Sequence, residues 1–156
     1  MGRAALSPRI SVRWQTGVAP PDGVTRRQLS GAVRRAVRAT LSSEGTQQAE
    51  ISVALVGDDE IAELNHSWLG HEGPTDVLAF PLYEEGDVPA GDIYVDVPQG
   101  RRQAEALGID AAEEIVRLAI HATLHVLGHD HPEGEERTRT PMWRIQERLV
   151  REVMRV

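Results

Sequence analysis

HATLHVLGHDH (His121–His131) contains four of the six histidines in the chain. His121 and His125 are four residues apart, so on a helix they lie on one face, one turn apart, and can both reach a single ion. Gly128 is placed to end such a helix. The chain then turns, and His131 returns as a possible third ligand. The stretch therefore predicts a metal site at the end of a helix.

Three protein ligands are typical of catalytic zinc sites, because they leave a position for water or substrate. We therefore expect one Zn²⁺ ion held by three histidines and one water, whose pKa zinc can lower to about 7. Nickel or copper would bind the same imidazoles. The alternative is that these histidines are buried in an apolar helix without an ion. That alternative is disfavoured, because burying imidazoles without partners costs free energy.

The spacing H-x3-H-x2-G-x2-H is also that of the metzincin proteases, which continue to a methionine beneath the metal. Met142 can be compared with that methionine. Those proteases have a glutamate directly after the first histidine as general base, and this chain has Ala122 there. The ligand spacing is present without the base, so peptide hydrolysis by that mechanism is disfavoured.

The composition limits the classes of protein to consider. The chain has 156 residues, of which 40% are hydrophobic, which predicts one domain spanning residues 1–156. Cysteine is absent, which excludes disulfides, thiolate ligands and a cysteine nucleophile. A formal net charge of -7 argues against non-specific binding of nucleic acid over the whole surface, although not against a local basic groove. No apolar run has membrane-spanning length and the first residues lack an apolar leader, so we expect a cytoplasmic protein without membrane contact.

Strand and helix patterns follow one another without regular alternation, which predicts a single α+β domain. The last helix either begins at Pro141, with Thr140 as its N-cap, or is kinked at that proline. A short helix after residue 57 opens with acidic residues. We predict strands over 10–14, 51–57, 77–83 and 91–98, and helices over 25–42, 99–107 and from 110 to 125 or 127.

Two further segments, PTDVLAFP (74–81) and GDIYVDVP (91–98), have distinctive sequences. Together with HATLHVLGHDH they resemble segments of the YbeY family of rRNA maturation endoribonucleases. The corresponding family segments are P-T-D-V-L-S-F-P, a G-D-I strand and the signature H-G-x-L-H-L-x-G-Y-D-H. Leu64 and Asn65 match as well, the order of the segments agrees, and the resemblance covers roughly residues 50–155.

The resemblance implies a zinc-dependent hydrolase that cleaves single-stranded RNA. It implies roles in maturing the 3′ end of 16S ribosomal RNA and in ribosome quality control, with ribosomal RNA and the ribosome or its proteins as partners. It also implies an α+β fold with a small mixed sheet, a central metal-binding helix packed on that sheet, and surrounding helices. By position, His121, His125 and His131 correspond to the three metal ligands of the family.

Leu69 is the main departure from the family pattern. The family typically has an arginine shortly before the P-T-D-V-L segment, in a pattern like N-x-x-Y-R, where this chain has NHSWLG (65–70). The change removes a positive group that would stabilise charge on a scissile phosphate. Arg101, Arg102 or Arg117 are candidates to replace it. The alternative function is therefore a ribosome-associated assembly factor with a mainly structural metal and weak or no nuclease activity.

Four more residues near these segments have two interpretations each. Asp130 is a candidate catalytic base or orienting group for a ligand imidazole, and otherwise a turn residue. Trp68 is a candidate for stacking on an RNA base, and otherwise a core residue. His129 replaces the usual tyrosine of the family and either supports the metal site or is exposed. Asp76 either lines the cleft or caps the turn into the next strand.

Overall fold

Four short segments rich in β-branched and apolar residues form one mixed sheet. The computed structural model describes residues 7–131 and 134–155. The strands pair in the order β1-β2-β4-β3, in which β1, β2 and β4 are parallel and β3 is antiparallel to β4. Their bounds are β1 Arg9–Trp14, β2 Glu50–Val56, β3 Val77–Pro81 and β4 Ala90–Asp96.

Five α-helices within the described ranges surround this sheet, which confirms the predicted α+β class. No helix in these ranges has the length and apolar character needed to cross a membrane. A short 3-10 helix, Gly134–Arg139, precedes the last of the α-helices. The helices are α1 Arg26–Ser43, α2 Asp58–Leu69, α3 Val97–Leu107, α4 Ala111–Val126 and α5 Pro141–Met154.

Local capping explains where two of the helices begin. Thr25 precedes α1 and accepts a hydrogen bond from the backbone N–H of Gln28, whose side chain bonds back to the Thr25 backbone. Thr140 precedes α5 and accepts from the N–H of Trp143 at 3.1 Å. The last helix therefore begins at Pro141, where the missing N–H has no structural consequence, and the predicted alternative of a kink is wrong.

Two predicted strands are shorter than expected. The strand predicted over 77–83 ends at Pro81. The strand predicted over 91–98 ends at Asp96, because Val97 and Pro98 already form the first turn of α3. The alternation of apolar and polar residues continues into that turn, and proline is well accommodated there, so the pattern alone does not locate the boundary.

Helix α4 is the central helix. One of its faces packs on the sheet through Ile115, Ala119 and Val126, within the same cluster as residues of β2 and β4. Another face packs against α1 and α5. A Cβ atom at Gly91 would lie 2.7 Å from the Val126 side chain, so this glycine lets the end of α4 approach β4 closely. The helix is thereby held so that its remaining polar face opens beside β3.

Candidate metal centre

The three histidines predicted as ligands come together at the end of α4. His121 and His125 lie on successive turns of the helix. Gly128 has a φ of 99°, which lets the chain reverse and bring His131 back. The Nε2 atom of His121 lies 3.0 Å from that of His125 and 3.2 Å from that of His131. The three side chains are positioned to bind one metal ion, with ligand atoms within 4.8 Å of one another.

A backbone carbonyl fixes the tautomer of His125. Its Nδ1 lies 2.8 Å from the carbonyl oxygen of His129. A carbonyl oxygen only accepts, so Nδ1 carries the proton and donates. In a neutral ring Nε2 is then an unprotonated acceptor that faces the other histidines.

A chain of polar side chains fixes the tautomer of His121 in the same way. Gln146 donates through its Nε2 to Glu147 at 3.0 Å, and a carboxylate only accepts. The amide oxygen of Gln146 must therefore face His121, whose Nδ1 lies 2.7 Å away and donates to it. His121 thus also presents an unprotonated Nε2 to the cluster.

Both histidines are neutral near pH 7, which makes them suitable metal ligands. Burial lowers the pKa of His121 to about 4, although the bond to Gln146 opposes this shift. Burial also lowers the pKa of His125. Two neutral acceptors 3.0 Å apart cannot hydrogen-bond to each other and need a cation between them. Tetrahedral zinc with bonds of about 2.0–2.1 Å places its nitrogen ligands roughly 3.3 Å apart, which agrees with the observed spacing.

His129 supports the site mainly through its backbone. Its carbonyl oxygen holds His125, and its side chain pairs with Glu44 at the end of α1. The histidine that replaces the usual tyrosine of the family therefore joins the metal-binding turn to α1. Of the two interpretations of this residue, simple exposure is wrong, because the side chain is half-buried and paired with Glu44.

Arg117 lies one turn before His121 and is surrounded by carboxylates. It donates to Glu113 at 3.2 Å, to Glu114 at 2.9 Å and to Glu147 through two bonds of 2.9 and 3.0 Å. Burial opposes its ionisation, but the bonds to Glu147 and Glu114 outweigh burial and raise its pKa. Its charge is thus balanced locally, and Arg117 offers no spare positive charge to replace the arginine that the family has at the position of Leu69.

Two cavities meet at the histidines. The first, here called the metal cleft, has a volume of about 810 Å³ and lies between α4 and β3. The second, here called the side pocket, has a volume of about 410 Å³ and lies between α3, α4 and α5. Asp76, His121 and His131 line both cavities, so the two are neighbouring parts of one surface depression.

The start of β3 and the end of α2 form one wall of the metal cleft. Thr75 and Asp76 line the cleft, which agrees with the functional interpretation of Asp76. Leu69 lines it as well and is 47% exposed. Trp68 is 71% exposed and contacts the edge of Phe80, with ring centroids 6.3 Å apart. The core alternative for Trp68 is therefore wrong.

The other predicted residues lie around the centre at the surface. The Asp130 side chain is fully exposed, and its Oδ1 lies 4.0 Å from Nδ1 of His125, which already donates to His129. Arg101 is exposed on α3. Arg102 donates two hydrogen bonds to Asp58, at 2.8 and 3.2 Å. Neither arginine is among the described residues that line the two cavities.

Gln146 and Glu147 are the functional residues that the sequence interpretation missed. They lie on α5, and Gln146 contacts a histidine that is 25 positions away in the sequence. One signal was available: Gln146 is a polar residue at a buried position of an amphipathic helix. A buried amide needs partners, so such a position indicates a polar contact with another element.

Comparisons with known proteins agree with this architecture and show the family. The profile of the family described as Endoribonuclease YbeY matches residues 21–154. An endoribonuclease YbeY from Thermus thermophilus is 40% identical over 139 residues, covering 84% of this chain and 92% of the relative. One from Salinispora tropica is 42% identical over 135 residues, covering 76% of this chain and 84% of the relative.

A solution structure of a Thermotoga maritima protein has the same fold. It superimposes with a TM-score of 0.62 at 29% identity, covering 94% of this chain and 88% of that one. Fold and centre together define an α+β protein with a three-histidine metal site on its central helix. The chain belongs to the endoribonuclease YbeY family.

Proposed function

We propose that this protein is a zinc-dependent endoribonuclease that cleaves single-stranded RNA. The observation that carries the proposal is the convergence of three histidine Nε2 atoms, with the protons of His121 and His125 held on the far side of each ring. Such a centre has acceptors for one cation, and it lies on a metal cleft of about 810 Å³. The names of the relatives supply the reaction class.

The residues of the chain divide the work between binding and orientation. His121, His125 and His131 would hold the ion, which would supply Lewis acidity to a phosphodiester and to water. Gln146 and the His129 carbonyl keep two of the rings in the ligating orientation, as hydrogen-bond partners of ligand histidines do in other metal sites. Three neutral imidazoles leave the positive charge of the ion uncompensated, which favours an anionic phosphate.

The remaining site assignments stay predictions. Trp68 is exposed and directly precedes Leu69, which lines the metal cleft. This position supports a role in stacking on a base. Asp130 is exposed beside the ligand turn, where it could take a proton from an incoming group. Arg101 and Arg102 would contact the RNA backbone away from the centre, and Arg102 would have to leave Asp58 to do so.

The cellular roles rest on family membership alone. We propose that residues 1–156 form one catalytic domain that acts in the cytoplasm on ribosomal RNA. Its tasks would be maturation of the 3′ end of 16S ribosomal RNA and quality control of ribosomes, in contact with the ribosome or its proteins. Sequencing of 16S 3′ ends in a strain that lacks the protein tests these roles separately from the chemistry.

The decisive experiment is cleavage of a labelled single-stranded RNA by the zinc-loaded protein. His125→Ala should abolish cutting, because the centre loses a ligand. His66→Ala is the matched control, since the exposed His66 side chain pairs with Glu72 at 3.2 Å and is not among the described residues that line the metal cleft. Equal cutting by all three proteins would indicate a contaminating nuclease and would refute the proposal.

The assembly-factor alternative makes different predictions. The specific observation in its favour is Leu69, an apolar residue on the wall of the metal cleft. If the zinc-loaded protein is silent but Leu69→Arg cuts RNA, the chain has a weakened nuclease site. If both are silent and chelation unfolds the protein, rather than only removing the stabilisation that any bound ion gives, the metal is structural and the alternative is correct.

A further inference from the structure

The side pocket opens directly beside the metal centre, and most of its lining residues are not metal ligands. It shares His121 and His131 with the metal cleft and extends away from them between three helices. An RNA strand bound at the histidines would therefore have one of its nucleotides next to this opening. This inference rests on the proposed function, since it concerns the substrate of the same site.

The walls of the side pocket are apolar and include one large aromatic ring. The half-buried Trp143 lines the pocket together with four aliphatic side chains from α3, α4, α5 and the loop between α3 and α4: Leu107, Ile109, Leu118 and Met142. A planar base can stack on an indole ring, and apolar walls favour a flat, weakly hydrated group. The volume of about 410 Å³ is within the range of small-molecule sites.

The charge of the side pocket excludes phosphate from it. Its lining contains four carboxylates, Asp76, Glu113, Glu114 and Glu147, against a single guanidinium, that of Arg117. A phosphate in the pocket would be repelled, whereas an uncharged base would not. A bound nucleotide would therefore have its phosphate at the histidines of the metal centre and its base in the side pocket, among the carboxylates.

Glu113 offers a carboxylate oxygen as a hydrogen-bond acceptor in the side pocket. Its Oε2 accepts from Arg117, while its Oε1 has no hydrogen-bond partner in the described part of the chain, and the side chain is 31% exposed. A carboxylate accepts from the amino group of a base. Uracil has no amino group, and it flanks its single ring N–H with two carbonyl oxygens that carboxylates repel.

We propose that the side pocket binds one base of the RNA strand next to the scissile phosphate and prefers a base with an amino group over uracil. Trp143 provides the stacking surface and Glu113 accepts the amino N–H. The protein would accordingly have a base preference at one position beside the cleavage site.

The test uses the uncharged nucleosides cytidine and uridine, which have the same size and differ in the amino group. Each is titrated into the zinc-loaded protein while the indole N–H signals of the three tryptophans are followed by NMR. The Trp143 signal is identified by its absence in Trp143→Phe. Cytidine should shift the Trp143 signal with an affinity about fivefold higher than that of uridine, the lower end of discrimination by a base-edge contact.

Two variants make the test specific. Glu113→Gln replaces an acceptor by a side chain that can also donate to a carbonyl oxygen, so uridine should then bind at least as well as cytidine. Glu105→Gln, on the exposed surface of α3, is the matched control and should keep the preference for cytidine. Trp143→Leu should weaken cytidine binding about tenfold, which is typical for loss of base stacking.

The results separate this inference from the proposed function. If neither nucleoside shifts the Trp143 signal, or if both bind equally to the unaltered protein, the base site is refuted even where RNA is cut. If cytidine binds preferentially to His125→Ala as well, the pocket acts as a base site independently of the ion. Preferential binding together with no RNA cleavage by the zinc-loaded protein would keep the base site and refute the nuclease.

Discussion

The polar side chains at the two ends of the polar face of α4 find their partners in different ways. Towards the N-terminus, the buried Glu114 and the half-buried Arg117 have opposite charges and bond to each other. Towards the C-terminus, His121 and His125 are half-buried neutral rings whose acceptor atoms face each other. The first pair is complete within the protein, whereas the second consists of acceptors that a cation would join. A polar cluster whose charges and hydrogen bonds are all paired within the protein indicates a structural role. A cluster that has acceptors only indicates a binding site for a cation.

Helix α5 connects the two ends. Glu147 accepts from Arg117, and the adjacent Gln146 accepts from His121 while donating to Glu147. The charged end therefore positions the amide that fixes a metal ligand. Mutations can separate the two ends. A change at the charged end should mainly lower the free energy of unfolding, and a change at the histidine end should mainly lower metal affinity.

His121→Ala should produce the largest effect, on metal affinity. Loss of a group that hydrogen-bonds to a ligand weakens metal binding by up to about 100-fold, so loss of a ligand itself should exceed that figure. Zinc stabilises the native state by binding it, with a gain of about 2.7 kcal/mol at 100 times the dissociation constant. Urea unfolding with and without zinc should show this gain for the unaltered protein and none for the variant. An unchanged gain in the variant would remove His121 from the centre.

Arg117→Met should have the largest effect on stability. It leaves Glu114, whose side chain is 5% exposed, without its cationic partner, and removal of one member of a buried pair costs about 3 kcal/mol. Arg38→Met on the exposed face of α1 is the matched control and should stay within about 0.5 kcal/mol. Equal unfolding midpoints in urea for the two variants would contradict the view that the charged end is structural.

The sequence predicted the histidine end and missed the part that supports it. Three ligands lie within eleven residues, and helical periodicity with one glycine is enough to bring them together. Gln146 and Glu147 meet α4 only because two helices pack at a particular distance and rotation, and no local pattern specifies those quantities. The same reason explains part of why Arg117 was a candidate for phosphate binding, since its partner Glu147 depends on helix packing. Its other two partners, Glu113 and Glu114, lie one turn earlier on α4 and follow from helical spacing.

The sheet shows a related limit. Strand positions followed from apolar alternation, but the end of β4 did not, because Val97 and Pro98 fit a strand pattern and a first helical turn equally well. The pairing order β1-β2-β4-β3 depends on contacts between distant segments. Family resemblance, rather than periodicity, predicted that the sheet is mixed and that the metal-binding helix packs on it.

Gln146→Met should separate orientation from stability. His121 would lose the acceptor of its Nδ1 proton, and its ring could adopt the other tautomer, so zinc affinity should fall about 10-fold or somewhat more. The bonds between Arg117 and Glu147 remain, so the free energy of unfolding without zinc should change less than in Arg117→Met. Competition with a chromophoric chelator measures the affinity, with Gln48→Met as an exposed control. Unchanged affinity would mean that the amide only fills space.

The carboxyl group of Asp96, beside Asp58, forms a third polar cluster. Here the group that completes the cluster is a proton. The residue is completely buried at the end of β4, and neither carboxyl oxygen has a hydrogen-bond partner within the described residues. Burial, reinforced by the neighbouring Asp58, raises the pKa of Asp96 from its ordinary 3.8 to about 8. Protonated Asp96 has an O–H to donate, whereas ionised Asp96 has only acceptors.

The sign of the pH dependence follows from this shift. Between pH 4 and 8 the native state holds a proton on Asp96 that the unfolded chain has lost, so the contribution of Asp96 to stability falls as the pH rises through this range. Asp96→Asn keeps the site neutral at every pH. It should therefore match the unaltered protein near pH 4 and exceed it by an amount that grows as the pH rises to 8 in urea unfolding. A gain that does not increase with pH would show that Asp96 is ionised in the folded protein and has a partner. Its cluster would then resemble the pair of Glu114 and Arg117, whose charges are balanced within the protein.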